Sequence, residues 1–478
     1  SVIVSGDAIV AQDDTIVVNR WTRDAGSYVS IGGKLTVKAD ASLDWAAATD
    51  DTPIGAFQFD NNCIINFGVT KILITGDGSL GTVSTDNAAR DIFVEIQDGA
   101  FLNVTATVYC DDISGPATGL GTIIGTNQMV IMRWNNPDTL TVDAAIDGGV
   151  TIIFADAVIP PVDYGNALVT TGAATQTISG TGHLKCYQFE AYRLTQDLQS
   201  YINISGSVDI TVTKWIQGNI PTRATIVNWD SSGTFTCLDD FTLTDPNGTT
   251  VQNQFEVANG AGPLRLMGDV EIQTIAQFNC LGDADIELWA DLDVQGAAVT
   301  DWGTSNIYLR GNATQNIVFA SAPHNVKENK AFGSVLTYAD AWVATGNHTM
   351  LIDGASSSIF LAAGAYGAAE LIVVKGSGAG LARKTIDSSD GVTQFSYTVN
   401  SAGPVIYNVN FSNMNFLGAD QPCDSGSCSN VFNNNTSPPS PGLVFSSSPL
   451  PARTYGKYRR SLGLGLGLGG GVAYSSIN

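Results

Sequence analysis

The sequence predicts an all-β protein, an elongated parallel β-helix or β-solenoid, from three observations. Apolar and polar residues alternate in short runs along most of the chain, turn-forming residues separate those runs, and helical periodicity is scarce. Leu35, Val37, Ala39, Ala41, Leu43 and Trp45 alternate with Thr36, Lys38, Asp40, Ser42 and Asp44, the pattern of a strand buried on one face. Leu102, Val104, Ala106, Val108 and Cys110 repeat it, as do Val208, Ile210 and Val212. Gly76-Asp77-Gly78, Asp245-Pro246-Asn247-Gly248 and Gly282-Asp283 supply turns between such runs. Tandem β-sandwich domains are the alternative, since short strands with frequent turns describe those as well. The irregular strand spacing favours the coils of a solenoid.

Taken in order, residues 1–160 form an N-terminal β-rich region, with strands expected at Ile3-Val4, Ile16-Val18, Leu35-Val37, Ile72-Ile74, Ile92-Ile96 and Leu102-Val108. Pro160-Pro161 marks a boundary, because neither proline can donate to a sheet. Residues 161–420 form a β-helical repeat region. Here Gly172-Ala-Ala-Thr-Gln-Thr-Ile178 recurs as Gly311-Asn-Ala-Thr-Gln-Asn-Ile317, and each copy is followed by further short strands. Ala191, Leu194, Leu198 and Ile202 have the spacing of one short helix. Around 405–416, Asn408, Asn410, Asn413 and Asn415 stand opposite an apolar face, where amides of successive coils can stack into ladders. Residues 421–452, rich in Asn, Ser and Pro, read as a linker. Residues 453–478 read as a basic, then Gly/Leu-rich arm.

Composition narrows the function classes. The 478 residues include 22 Lys+Arg against 45 Asp+Glu, a net charge of −23, with only 14% charged residues. Such acidity argues against nucleic acid, whose phosphates call for clustered Lys and Arg. No apolar run is long enough to span a membrane, and no charged-then-apolar leader pattern follows Ser1. The 51 glycines, with abundant Thr, Ser, Asn and Asp, suit tight turns and hydroxyl- or amide-lined strand faces.

Few residues offer chemistry. His183, His324 and His348 lie far apart, none with a partner at metal-ligand spacing, and each reads as a surface or loop histidine. No nucleophile elbow or phosphate-cradling loop is present. The acidic pairs Asp239-Asp240, Asp283/Asp285 and Asp291/Asp293 are candidates for glycoside hydrolysis, which needs two carboxyls flanking a sugar. The latter two pairs, each on one strand face, also fit Ca²⁺ ligation. Asp beside Gly in turns is common without either role, so no catalytic residue, metal or cofactor is expected. Of seven cysteines, only Cys423 and Cys428 are close enough in sequence for a disulfide between neighbours, and two free thiols are the alternative.

The repeat and openings such as Ile31-Gly-Gly-Lys-Leu-Thr-Val37 resemble β-helical repeat regions of tailed-bacteriophage fibre, tailspike and decoration proteins, and of bacterial surface adhesins. That resemblance implies a stiff rod on a virion surface, often a homotrimer, that contacts other virion proteins or a host surface glycan. A secreted adhesin and a polysaccharide-degrading tailspike are the rival readings. The arm carries the assembly expectation. Leu462, Leu464, Leu466 and Leu468 would enter an apolar groove of a partner, while Arg453, Lys457, Arg459 and Arg460 dock on an acidic surface.

Overall fold

The computed structural model describes residues 93–424 apart from 105–107, 136–138, 144–146, 156–157, 192–198, 219–223, 245–251, 297, 331–332, 353–355, 376–382 and 405. Outside that span it describes strands between Val2 and Leu80, together with Ser429–Val431 and Leu443–Ser446. Every strand pair among these residues is parallel, and none of them is in an α-helix. Parallel pairing throughout excludes tandem sandwiches, whose sheets are antiparallel. The chain is a parallel β-solenoid.

Three strands make one coil. Gln254–Val257, Leu264–Leu266 and Val270–Ile272 are covered in register by Gln277–Cys280, Asp285–Leu288 and Leu292–Val294. Val299–Asp301, Asn306–Leu309 and Gln315–Ile317 cover those in turn. Alternation directs Phe255, Val257, Leu264, Leu266, Val270 and Ile272 into the core, with Glu256, Arg265 and Glu271 left at least partly exposed. Coil length varies because the corners absorb insertions. Thr151 pairs with Leu168, 17 residues on, whereas Phe235 pairs with Leu264, 29 residues on.

Corners need special backbone. The 19-residue strand Gln199–Gln217 pairs through residues 199–206 with Ala224–Ser231, then through residues 210–212 with Phe235–Cys237. Gly206 sits where the partner changes, at φ 86°, and a Cβ there would lie 2.5 Å from Gly180 O. Only glycine takes that conformation so close to another backbone.

The core contains a continuous file of rings. Phe189 stacks on Trp215 at 4.7 Å, and contacts run on through Phe255, Phe278, Trp302, Phe319, Tyr338, His348 and Tyr397 to Phe416, each step 5.4–6.4 Å between centroids. Such pairs contribute about 0.5–1.5 kcal/mol each beyond the burial of their area. The file crosses coil after coil, so the core is one body along this stretch.

Several sequence expectations change. The Leu102–Cys110 alternation spans two strands, Phe101–Val104 and Val108–Ser114, which belong to different sheets, with Ala106 outside the described residues. The two described ends of the expected helix, Ala191 and Ile202, are in strands. Ala191 closes the strand Thr181–Ala191 and Ile202 lies within Gln199–Gln217, each held by ladders to neighbouring coils. Leu194 and Leu198 fall outside the described residues. The ladder also runs across Pro160-Pro161, since Thr151–Phe154 pairs directly with Leu168–Thr171. The span read as a linker carries three strands: Gln421–Asp424, Ser429–Val431 and Leu443–Ser446. Asn408 and Asn413 take φ 56° and 51°, turn positions between strands, and Asn413 is buried and donates to Asp387 Oδ1 at 2.9 Å. An amide ladder runs along Asn325, Asn306 and Asp285: Asn325 Nδ2 donates to Asn306 Oδ1 at 3.1 Å, and Asn306 Nδ2 to Asp285 Oδ1 at 2.9 Å.

Candidate functional site: a buried ionic network

In the strand Asn325–Glu328, alternation turns Val326 and Glu328 inward, so a carboxyl occupies a core position. The next coil brings His348, at the start of His348–Ile352, opposite Val326. Tyr338 closes Val335–Tyr338, Ser358 lies in Ser357–Phe360, Lys384 opens Lys384–Ser388, and Tyr397 lies in Phe395–Val399. All six are buried, at 2% exposure or less.

These side chains saturate the carboxylate. Glu328 Oε1 accepts from Tyr338 Oη at 2.8 Å and lies 2.9 Å from His348 Nε2. Oε2 accepts from Ser358 Oγ at 2.7 Å and from Lys384 Nζ at 2.8 Å. An ionised carboxylate only accepts, so His348 Nε2 carries the hydrogen of its bond. Tyr397 Oη lies 2.7 Å from Nδ1 and extends the network. Burial alone would push the Glu328 carboxyl up. Lys384 and His348 outweigh it and hold the group well below the usual carboxylate range. Burial raises the Tyr338 and Tyr397 phenols well above their ordinary values, so both stay protonated.

Lys330 sits beside this hub, 2% exposed, and donates to Arg310 O at 2.8 Å and Gln315 Oε1 at 3.1 Å. Gln315 is the glutamine of the second copy of the sequence repeat. Both copies place it inward at 0% exposure: Gln176 Nε2 donates to Phe154 O at 2.8 Å, and Gln315 Nε2 donates to Leu288 O at 3.3 Å. The repeat therefore encodes an amide that satisfies backbone carbonyls of the preceding coil.

The six side chains of the network are enclosed in the core. The effect of the network is to fasten strands from several coils to one charge. A buried ion pair gives little net stability because desolvation offsets its attraction, but it penalises every register that separates the partners. None of its residues except His348 stood out in the sequence. The signal was a charge at an inward position of an alternating run, as at Glu328 after Val326 and Lys384 before Ile386.

The acidic candidates do not converge. Asp240 and Asp239 lie 2.9 and 3.5 Å from Lys214 Nζ on the surface. Asp285 accepts from Asn306, and Asp291 accepts the backbone N–H of Asn316 at 2.7 Å. Asp293 accepts from Gln295 at 3.0 Å, and Asp283 is exposed. Among the described residues no group of three or more His, Cys, Asp or Glu is placed to hold a metal ion. His348, expected at the surface, is fully buried, because its strand position faces the core. His324 and His183 are partly exposed and pair with Thr345 and Thr211 hydroxyls, each at 2.8 Å.

A surface groove opens between Leu120, Leu140, Pro160, Pro161, His183 and Lys185, with Asp163 3.3 Å from Lys185. Burial, then the Lys185 charge, pushes His183 below its ordinary value. Cys186, Cys237 and Cys280 are buried small hydrophobes, and burial pushes the latter two thiols up to about 12. Cys423 is buried, while Cys428 lies outside the described residues, as do Leu462, Leu464, Leu466, Leu468, Arg453, Lys457, Arg459 and Arg460.

The fold and its interior define the class, a parallel β-solenoid with a ring-filled core and an internal ionic hub. No protein-family model, curated protein or solved structure matches the chain.

Proposed function

We propose that this chain is a non-enzymatic structural protein of a virus particle, a bacteriophage fibre, spike or head-decoration subunit that builds a stiff rod. The observation that carries the reading is the unbroken file of core rings from Phe189 to Phe416, which couples coil to coil as a rod under load requires. The polar residues of the strands face outward in registered columns, such as Asp285, Asn306 and Asn325, and give the rod a regular flat side. The groove beside His183 and Lys185 joins apolar walls to hydrogen-bonding groups, the chemistry that a host surface glycan asks of its receptor-binding protein. Association with copies of itself, as a homotrimer, and with other virion proteins belongs to the same proposal.

Immunogold electron microscopy of particles from the native source tests it, with antibody raised against residues 93–424. The expected result is gold at fixed positions on the particle surface, and no reducing ends released when purified protein is incubated with host polysaccharide. Label confined to bacterial cells free of particles would establish the adhesin reading instead. Released reducing ends would establish a hydrolase.

A further inference from the structure

We propose that Lys330 and Gln315 join through an intramolecular isopeptide bond, formed by the protein itself with release of ammonia. Lys330 Nζ has two acceptors in reach, Arg310 O at 2.8 Å and Gln315 Oε1 at 3.1 Å, and both are neutral. Neither hydrogen-bond acceptor carries a charge, so the proton of the buried ammonium is held less firmly than in a contact ion pair. Burial accordingly pushes Lys330 down to about 8, with Lys384 adding to the effect and Glu328 and Asp291 opposing it. Roughly a tenth of the side chain is free amine at pH 7 and about half at pH 8.

Lys384 provides the contrast. It faces the Glu328 carboxylate at 2.8 Å, and four hydrogen-bond donors stabilise that anion. An anion repels an incoming electron pair, so this lysine stays an ion-pair partner. Lys330 instead meets an amide, an uncharged electrophile. Gln315 is 0% exposed, and its Nε2 donates to Leu288 O at 3.3 Å and Ala290 O at 2.5 Å, which leaves Oε1 directed at Lys330. The first copy of the repeat cannot react in this way, because Ala191 stands fifteen residues after Gln176 where Lys330 stands fifteen after Gln315.

The step balances without a co-reactant. Free Nζ adds to Gln315 Cδ, the Nζ–Cδ bond forms, the Cδ–Nε2 bond breaks, and one Nζ hydrogen passes to Nε2, which leaves as ammonia. Confinement at contact distance replaces a bimolecular encounter, and exclusion of water suppresses the competing hydrolysis. The product closes residues 315–330 into a covalent ring. The strand Gln315–Ile317 is then tied to the following coil between its strands Asn325–Glu328 and Val335–Tyr338, and this part of the solenoid cannot unwind without breaking an amide.

Intact-mass and tryptic-peptide mass spectrometry of the full chain test the proposal, on protein as purified and after incubation at pH 7, 8 and 9. The expected mass is about 17 Da below the sequence mass, the loss of one ammonia. The peptide 311–327 should be joined to the peptide carrying Lys330, with any remaining reaction about tenfold faster at pH 9 than at pH 7. The variant Lys330→Arg should keep the full sequence mass. Wild-type protein that holds the sequence mass after days at pH 9 would overturn the proposal. So would a 17 Da loss that persists in Lys330→Arg, since asparagine cyclisation gives the same mass.

Discussion

Glu328 and Lys384 meet at 2.8 Å with both side chains 1% exposed, although their strands are not paired with each other. Glu328 lies on a strand paired to Asn306–Leu309 and His348–Ile352, and Lys384 on one paired to Ser357–Phe360 and Val409–Ser412. The ion pair therefore crosses the interior from one side of the solenoid to another. Tyr338, His348 and Ser358 complete it, so that the charge is compensated and hydrogen-bonded at once.

Removing one partner strands the other. Lys384→Met should destabilise the protein by about 3–5 kcal/mol, because an uncompensated carboxylate stays buried. The double variant Glu328→Met/Lys384→Met should recover most of that loss. Urea unfolding of the three proteins measures both terms, and a double variant as unstable as the single one would argue against a charge effect.

The pH dependence follows from Glu328. Its folded-state carboxyl is depressed, so the folded protein binds fewer protons than the unfolded chain in the acid range. The stabilisation is present above the unfolded value of 4.5 and is lost as the pH falls through the folded one. Glu328→Gln should flatten the fall in stability below about pH 4.5, and urea titrations across that range would show it. Parallel curves for wild type and variant would contradict the assignment.

Trp215 is the second ring of the file, stacked on Phe189 and edge-on to Phe235 and Phe255. Trp215→Ala should cost about 3–5 kcal/mol, the range for emptying a large aromatic site. Hydrogen exchange should then rise first in Gln199–Gln217 and the three following strands paired with it, Ala224–Ser231, Phe235–Cys237 and Phe241–Leu243. Uniform exchange along the whole solenoid would show that the core is not locally coupled.

Much of this fold was legible in the sequence, since alternation at Val208, Ile210 and Val212 and turns such as Gly282-Asp283 transmit inward and outward positions directly. Corners were less legible. The alternation from Leu102 to Cys110 passes from one sheet to another, and a period of two carries no mark of the change. Ala191 and Ile202 themselves lie in strands, because apolar residues at that spacing fit two periods at once. The ionic hub was invisible for another reason. Glu328, His348 and Lys384 are 20 and 36 residues apart, and only coil register brings them together. Lys384 in particular looks like any surface lysine until Ile386 is seen to share its inward face.

The Gly/Leu-rich arm gives a prediction about assembly. Deleting residues 461–478 should leave the circular dichroism and melting of the solenoid unchanged while reducing incorporation into particles. The driving force expected from the sequence is burial of Leu462, Leu464, Leu466 and Leu468 on a partner, about 1.5–3 kcal/mol for each side chain. A truncated protein that incorporates at full occupancy would show that the arm is not an anchor.

The central claim, a solenoid rod that forms part of a virus particle, is tested most directly by cryo-electron microscopy of particles from the native source. The account predicts rod-shaped density on the particle surface, with rungs about 4.8 Å apart, into which residues 93–424 fit with the ring file along the axis. Particles whose fully assigned surface density contains no such rod would contradict it.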